Sequence, residues 1–212
     1  IRTLIKNSKG GETWETLSAP WGSPGGSGVL LQNSASNSAS PWKTSLSLPE
    51  NTLTFVGQGF DRCEIPTLSQ LQTWWTNAPY RSVNLYIGGS SRGCPNSVLT
   101  ASFIKQLYHQ GWSFIPTWVG PQSPCSAYST KMSSDPTTAY QQGITEATSA
   151  TARLATLGLT DPDKSGSVVY YDLEAYTNDA TCRTAVKAFM NGWVYQLHNL
   201  GNDAGVYGSA CS

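Results

Sequence analysis

From about residue 52 the chain alternates two kinds of pattern. Short apolar runs rich in β-branched and aromatic residues (LTFVGQGFD, SVNLYIGG, WSFIPTWVG, SVVYYDLEAY and AGVYGS) read as strands. Between them lie LSQLQTWW, SVLTASFIKQLYHQ, TTAYQQGITEATSATARLATL and CRTAVKAFMNGWVYQLHNL, whose apolar residues recur at helical spacing. Three of these helical stretches stop at a glycine (Gly111, Gly158, Gly201) just before the next strand. That is the expected end of a helix feeding a strand. The rhythm predicts five strands and four helices in parallel βα units. In helices one and four, Trp74, Trp75, Phe189 and Trp193 fall on the apolar stripe and are expected in the core.

Residues 1–50 break that rhythm. GGETW, SPGGSG and QNSASNSAS are rich in Gly, Ser and Asn with no helical period. The segment reads as an irregular N-terminal extension or linker, with short pieces such as Val29–Leu31 as possible strands. Its three tryptophans (Trp14, Trp21, Trp42) argue that it lies on the main body, or that it is the tail of an upstream module. The expected division is therefore 1–50 as the extension and 51–212 as the βα domain.

Two architectures fit the βα rhythm, a doubly wound open sheet and a TIM-like (β/α)8 barrel. Nucleotide-binding open sheets carry a glycine fingerprint in the first βα turn. Here Asp61 is followed by RCEIPTLSQ, with neither GxGxxG nor GxxxxGK[ST]. Instead, polar and aromatic residues recur at the C-terminal strand ends: Asp61, Tyr86, Gln122, Asp172 with Glu174, and Tyr207. Barrel active sites are built at that end, so the barrel is the expected fold.

The fourth strand run carries the sharpest chemistry. In a strand, Asp172 and Glu174 point the same way with backbones roughly 7 Å apart. Tyr170 and Tyr176 would share their face, and Val169, Tyr171, Leu173 and Ala175 the other. Carboxylates are rarely inside without a partner or a use. Two held side by side cannot both ionise freely, which is one way an acid gains a raised pKa.

Composition narrows the partners. Thirteen basic residues balance thirteen acidic ones, and charged residues make up only 12% of the chain, about half the usual share. Such a surface has no electrostatic footprint for nucleic acid, and no apolar run is long enough for a membrane span. The five cysteines (63, 94, 125, 182 and 211) show no CxxC spacing and no nearby histidine, so neither a metal site nor a cofactor is expected. Wide spacing, abundant Ser and Thr, eight Trp and ten Tyr suit disulfides in a secreted or cell-envelope protein. His109 and His198 both fall in the last turn of a helix, where they favour the dipole rather than catalysis. The chain begins at Ile1 rather than methionine, as expected of a processed or partial N-terminus.

Taken together, GFDRCEIP, LYIGG, IPTWVGPQ with a following PC, YYDLEAY and GVYGS resemble the glycoside-hydrolase-like barrel family once catalogued only as a domain of unknown function. That family is similar in plan to the lysozyme-type glycosidases of family 25. The resemblance runs over about residues 57–212 and implies a TIM-like barrel with a groove at its C-terminal face. It implies Glu174 as proton donor, Asp172 as the deeper carboxylate that stabilises charge or orients a substrate N-acetyl group, and Asp61 facing them from strand one. Family members continue past GVYGS with three further βα units, so the barrel is expected to be incomplete in this chain. A continuation or a second chain would complete it.

Around the acids, Tyr86, Gln122, Tyr176 and Tyr207 are candidate substrate-binding residues, and Trp118 a candidate sugar-stacking platform. The bland alternatives are an ion pair for the acids, a loop cap for Asp61, and core packing for Trp118. Neighbouring loops suggest disulfides Cys63–Cys94 and Cys125–Cys182, with Cys211 left for a partner outside this chain; other pairings stay open. The expected function is a secreted hydrolase of a cell-wall polysaccharide by acid-assisted cleavage, retaining, inverting or substrate-assisted. The alternative is an idle barrel that binds glycans or anchors to the envelope.

Overall fold

The computed structural model describes residues 2–6, 12–16 and 55–208. Arg2–Lys6 (β1) pairs antiparallel with Glu12–Thr16 (β2) as a hairpin, Leu4 opposite Trp14. Part of the segment read as irregular is therefore strand. Its turn-rich NSKGG between two short runs with β-branched residues is a hairpin signal that the surrounding Gly/Ser-rich sequence obscures. Val29–Leu31, Trp21, Trp42 and Cys211 lie outside the described residues.

The main body follows the predicted alternation: β3 (Gln58–Phe60), α1 (Leu68–Asn77), β4 (Tyr80–Gly88), α2 (Ala101–Gln110), β5 (Ser113–Trp118), α3 (Pro136–Leu157), β6 (Val168–Leu173), α4 (Ala180–Asn199) and β7 (Asp203–Gly208). Side chains fix the helix starts. Thr67 and Gln70 form a capping box for α1; Thr100, Asp135 and Asp179 cap α2, α3 and α4. Gly111 and Gly158 end α2 and α3 in the left-handed conformation, and Gly201 adopts it two residues beyond the end of α4, just past the Leu200 cap.

All five strands run parallel in the order β3-β4-β5-β6-β7, so spatial order equals chain order. The sheet winds one way, without the reversal that creates a crevice in doubly wound folds. Consecutive helices touch, which puts the helical layer on one face. Among the described residues β3 and β7 do not pair with one another. The observed fold is thus an α/β arc of five parallel strands and four helices, and the eight-stranded barrel is not closed.

Strand alternation sorts the two faces. Val83, Leu85, Ile87, Val169, Tyr171 and Val206 join the core under the helices, with Leu71, Leu107, Leu154, Phe189 and Trp193. The opposite face carries Asn84, Tyr86, Thr117, Tyr170, Asp172 and Tyr207. A filled barrel interior is dominated by bulky branched residues; this one is polar and aromatic.

Behind β6, α3 and α4 pack at very close range. A Cβ on Gly143 would meet the Phe189 carbonyl oxygen at 2.1 Å, and one on Gly192 would meet that of Tyr140 at 2.1 Å. This reciprocal fit lets Phe189 and Trp193 reach the Tyr171 ring, at centroid distances of 5.1 and 5.0 Å. Gly143→Ala should therefore cost about 2 kcal/mol or more despite the better helix propensity of alanine, because the obstacle is backbone. Exposed Ser149→Ala on the same helix should stay within about 0.5 kcal/mol of wild type in urea denaturation.

Candidate active site

β5 and β6 share only two paired positions, Thr117 with Tyr170 and Trp118 with Tyr171. Past Trp118 the chain swings toward β4: the Val119 N–H donates to the Gly88 carbonyl (2.9 Å), and the Ser91 N–H donates to Val119 (2.8 Å). The approach requires glycine, because a Cβ at Gly89 (φ +106°) would lie 2.2 Å from the Val119 oxygen. The acid-bearing end of β6 consequently has no backbone ladder on its β5 side.

The Gln122 side chain takes the place of that ladder. Its Nε2 donates to the carbonyls of Gly120 (3.0 Å) and Asp172 (2.9 Å), and its Oε1 accepts from the Glu174 N–H (2.9 Å). Gln122 is 0% exposed. Both amide hydrogens are used, so it has none left for a sugar hydroxyl. Its expected role as a substrate ligand gives way to that of a bolt across the sheet.

On the far side Asp172 and Leu173 pair with Tyr207 and Gly208 of β7. Asp172 is 4% exposed, and its Oδ1 is buried with no hydrogen-bond partner. Burial first, then the charges of Glu174 and Asp61, push its pKa from 3.8 up to about 7. Glu174 is partly exposed. Asp61 comes from just beyond β3 and accepts from Asn84 Nδ2 (3.0 Å) and the Tyr86 hydroxyl (2.9 Å). Asn84 in turn accepts from Thr117 Oγ1 (2.5 Å). Burial and Asp61 raise the Tyr86 phenol; burial and all three acids raise that of Tyr207. Asp61, Asp172, Glu174, Tyr86 and Tyr207 are thereby brought together.

Trp118 and Tyr176 lie elsewhere. The Trp118 indole faces the helices, donating from Nε1 to Glu146 Oε2 on α3 at 2.6 Å, so its ring is core rather than a sugar platform. Burial raises the Glu146 carboxyl, an effect that the indole N–H opposes. β6 ends at Leu173, the strict alternation stops there, and Tyr176 packs against the hydrophobic core. Conversely, sequence reasoning missed Asn84 and Tyr128. Asn84 stands two residues before Tyr86 on one strand, so the same-face spacing that picked out Asp172 and Glu174 would have found it. Tyr128, 37% exposed, lies in the β5–α3 loop near enough to the acids that burial first, then the charges of Glu174 and Asp172, raise its phenol. No strand period marks a loop residue.

Two disulfides tie the loops around the site. Cys63–Cys94 links the β3–α1 and β4–α2 connections, and Cys125–Cys182 links the Tyr128 loop to the first turn of α4. A cavity of about 980 Å³ adjoins the site, lined in part by Asn84, Thr117, Tyr170 and Tyr207.

A singly wound parallel βα sheet with its acids gathered at the C-terminal strand ends is the arrangement of a barrel-type α/β protein with its site at that end. More particularly, the chain belongs to the Rv2525c-like, glycoside hydrolase-like domain family, whose sequence model matches residues 72–212, more than half of its length. The match begins within α1, so β3 and Asp61 lie before it. No curated protein and no solved structure matches the chain. Among the described residues no helix is long and apolar enough to cross a membrane.

Two outcomes follow from this geometry. A carboxyl raised to about 7 in the fold holds a proton that the unfolded chain loses near pH 4, so its stabilising contribution is complete below about pH 4 and is lost as pH rises through about 7. Asp172→Asn, which cannot ionise, should be more stable than wild type at pH 7.5, by an amount on the order of a few kcal/mol, and the difference should shrink toward pH 4. Urea denaturation across that range reads it. Separately, Gln122→Met strands two carbonyls and one N–H that water does not freely reach. It should lower stability by about 2–4 kcal/mol and speed hydrogen exchange at the Glu174 amide.

Proposed function

We propose that the protein is a glycoside hydrolase that cleaves a polysaccharide by proton transfer from the Asp172–Glu174 pair. The observation that carries this reading is the buried Asp172, held protonated near neutrality beside the more accessible Glu174 and facing Asp61. A general acid needs a pKa near the working pH, and this pair retains one proton where ordinary carboxyls have none. Glu174 reaches toward solvent and delivers the proton to the glycosidic oxygen. Asp172, deeper and without a partner at Oδ1, shares the retained proton and stabilises positive charge developing on the sugar; a water then adds to the anomeric carbon and its proton returns to the carboxylate pair. Asp61 is held by Asn84 and Tyr86, with Tyr86 and Tyr207 beside the ring of acids.

The two disulfides and the family membership support an exported protein acting on a cell-wall glycan such as peptidoglycan. The one-way winding of the sheet supports further βα units that would complete a barrel between its outer strands β3 and β7, with residues 51–212 belonging to that domain and 1–50 an extension.

The test is release of reducing ends from purified cell walls. Wild type should release them with a rate that falls as pH rises through about 7, the value at which Asp172 gives up its proton. Glu174→Gln should lose about two or more orders of magnitude. If neither protein cleaves anything and both sediment with the polymer, the protein is a glycan-binding domain instead.

A further inference from the structure

The site is rich in hydrogen-bond acceptors and poor in positive charge. Asp61, Asp172 and Glu174 gather at one end of the sheet, and among the described residues the charges that bear on Asp172, Tyr86, Tyr128 and Tyr207 are those of the acids and Tyr207, not of a cation. The basic side chains of the surrounding loops point to other partners. Arg92 donates to the Tyr86 carbonyl and is influenced by Arg153 and Glu64; Lys131 donates to the Pro124 carbonyl. Arg62, which follows Asp61, is exposed. One tyrosine donor is already spent inside the site, Tyr86 on Asp61. Asp172 Oδ1 is left buried and unpartnered.

We infer that the sugar bound against Asp172 is donor-rich and carries no negative charge, so that the site selects against carboxylate-bearing sugars such as uronic acids. Two separate physical terms agree on this. A sugar carboxylate would enter among three gathered carboxyls whose charge no cation among the described residues is seen to offset, an unfavourable term that partial burial leaves only weakly screened. It would also add acceptors beside Asp61 and Glu174, whose carboxyl oxygens call for donors. Hydroxyl, amide N–H and ammonium groups do the opposite. On a peptidoglycan strand, the same rule admits a lactyl group whose carboxyl is tied up as a peptide amide and disfavours one whose carboxylate is free.

The inference names the substrate class of the proposed hydrolase and rests on that reading for cleavage, though not for binding. Its test uses a matched pair of ligands, a β-1,4-linked N-acetylglucosamine tetramer and the same tetramer oxidised to the carboxylate at C6. A fully deacetylated, amine-bearing tetramer is the third probe. Calorimetric titration of the wild-type protein should show the oxidised tetramer binding at least about tenfold more weakly than the neutral one. The gap should narrow between low and high salt, and narrow again in Asp61→Asn. The amine-bearing tetramer should bind at least as tightly as the neutral one. Equal or tighter binding of the oxidised tetramer overturns the inference, as does failure of all three to bind at millimolar concentration. If the neutral tetramer binds with the expected preference but yields no reducing ends, hydrolysis of such chains falls and the charge selection stands.

Discussion

The site depends on one side chain bridging a gap in a sheet. At Trp118, β5 leaves β6 and follows β4, drawn by the bond from the Val119 N–H to Gly88 and permitted by the absence of a side chain at Gly89. The acids sit just beyond that divergence, where strand ends open and fray. Gln122 supplies in its amide the donors and the acceptor that a neighbouring backbone would have given, at Asp172 and Glu174 alike. Leaving the sheet frees the β5–α3 loop to bring Tyr128 within electrostatic reach of Glu174, while the amide bolt keeps the carboxyls on a rigid frame. The loop is fixed a second time by the Cys125–Cys182 bridge. Its two roles, placing Tyr128 and clamping the acids, therefore move together or not at all.

That frame holds a group that works against the fold. Asp172 is buried beside two other acids with one oxygen unsatisfied, an arrangement that costs stability at any pH where it ionises. The core behind it offsets the cost. Tyr171, the residue before Asp172, packs edge-on against Phe189 and Trp193, and its hydroxyl donates to the Pro121 carbonyl at 2.6 Å. The glycine contacts of α3 and α4 make that packing possible. A close-packed helical layer on one face of β6 thus sustains a strained electrostatic arrangement on the other.

Much of this was legible in the sequence because it follows from period. The alternation of strands with capped helices, the glycine stops, and the shared face of Asp172 and Glu174 are local properties, and local properties survive into the fold. Asp61 could be placed because it ends a strand run. The failures have a different character. Trp118 and Gln122 were assigned by closeness to a strand end, yet their roles are decided by which way the chain turns next. The Trp118 indole finds Glu146, 28 positions away, and the Gln122 amide finds residues 50 and 52 positions away. No window along the chain contains such pairs. Tyr128 was invisible for a similar reason, being placed by a loop that long-range bonds define. The hairpin of β1 and β2 was hidden by its Gly- and Ser-rich neighbours.

The polar inner face of the sheet bears on how the acids are used. In a filled barrel, apolar side chains from alternate strands exclude water from the centre and confine polar groups to the mouth. Here Asn84, Thr117 and Tyr170 continue the polar character away from the acids, along the wall of the adjoining cavity. A ligand reaching Glu174 therefore meets hydroxyl and amide groups set in a wall that also carries apolar and aromatic side chains such as Ile115 and Trp112, rather than a dry plug. Such a surface suits a sugar, whose hydroxyls both donate and accept, and it suits several sugar units as well as one. The chemistry is concentrated at one point because Asp172 alone of the three acids is buried. Its neighbours on the same face keep partners or solvent, so they recognise a ligand without competing for the proton.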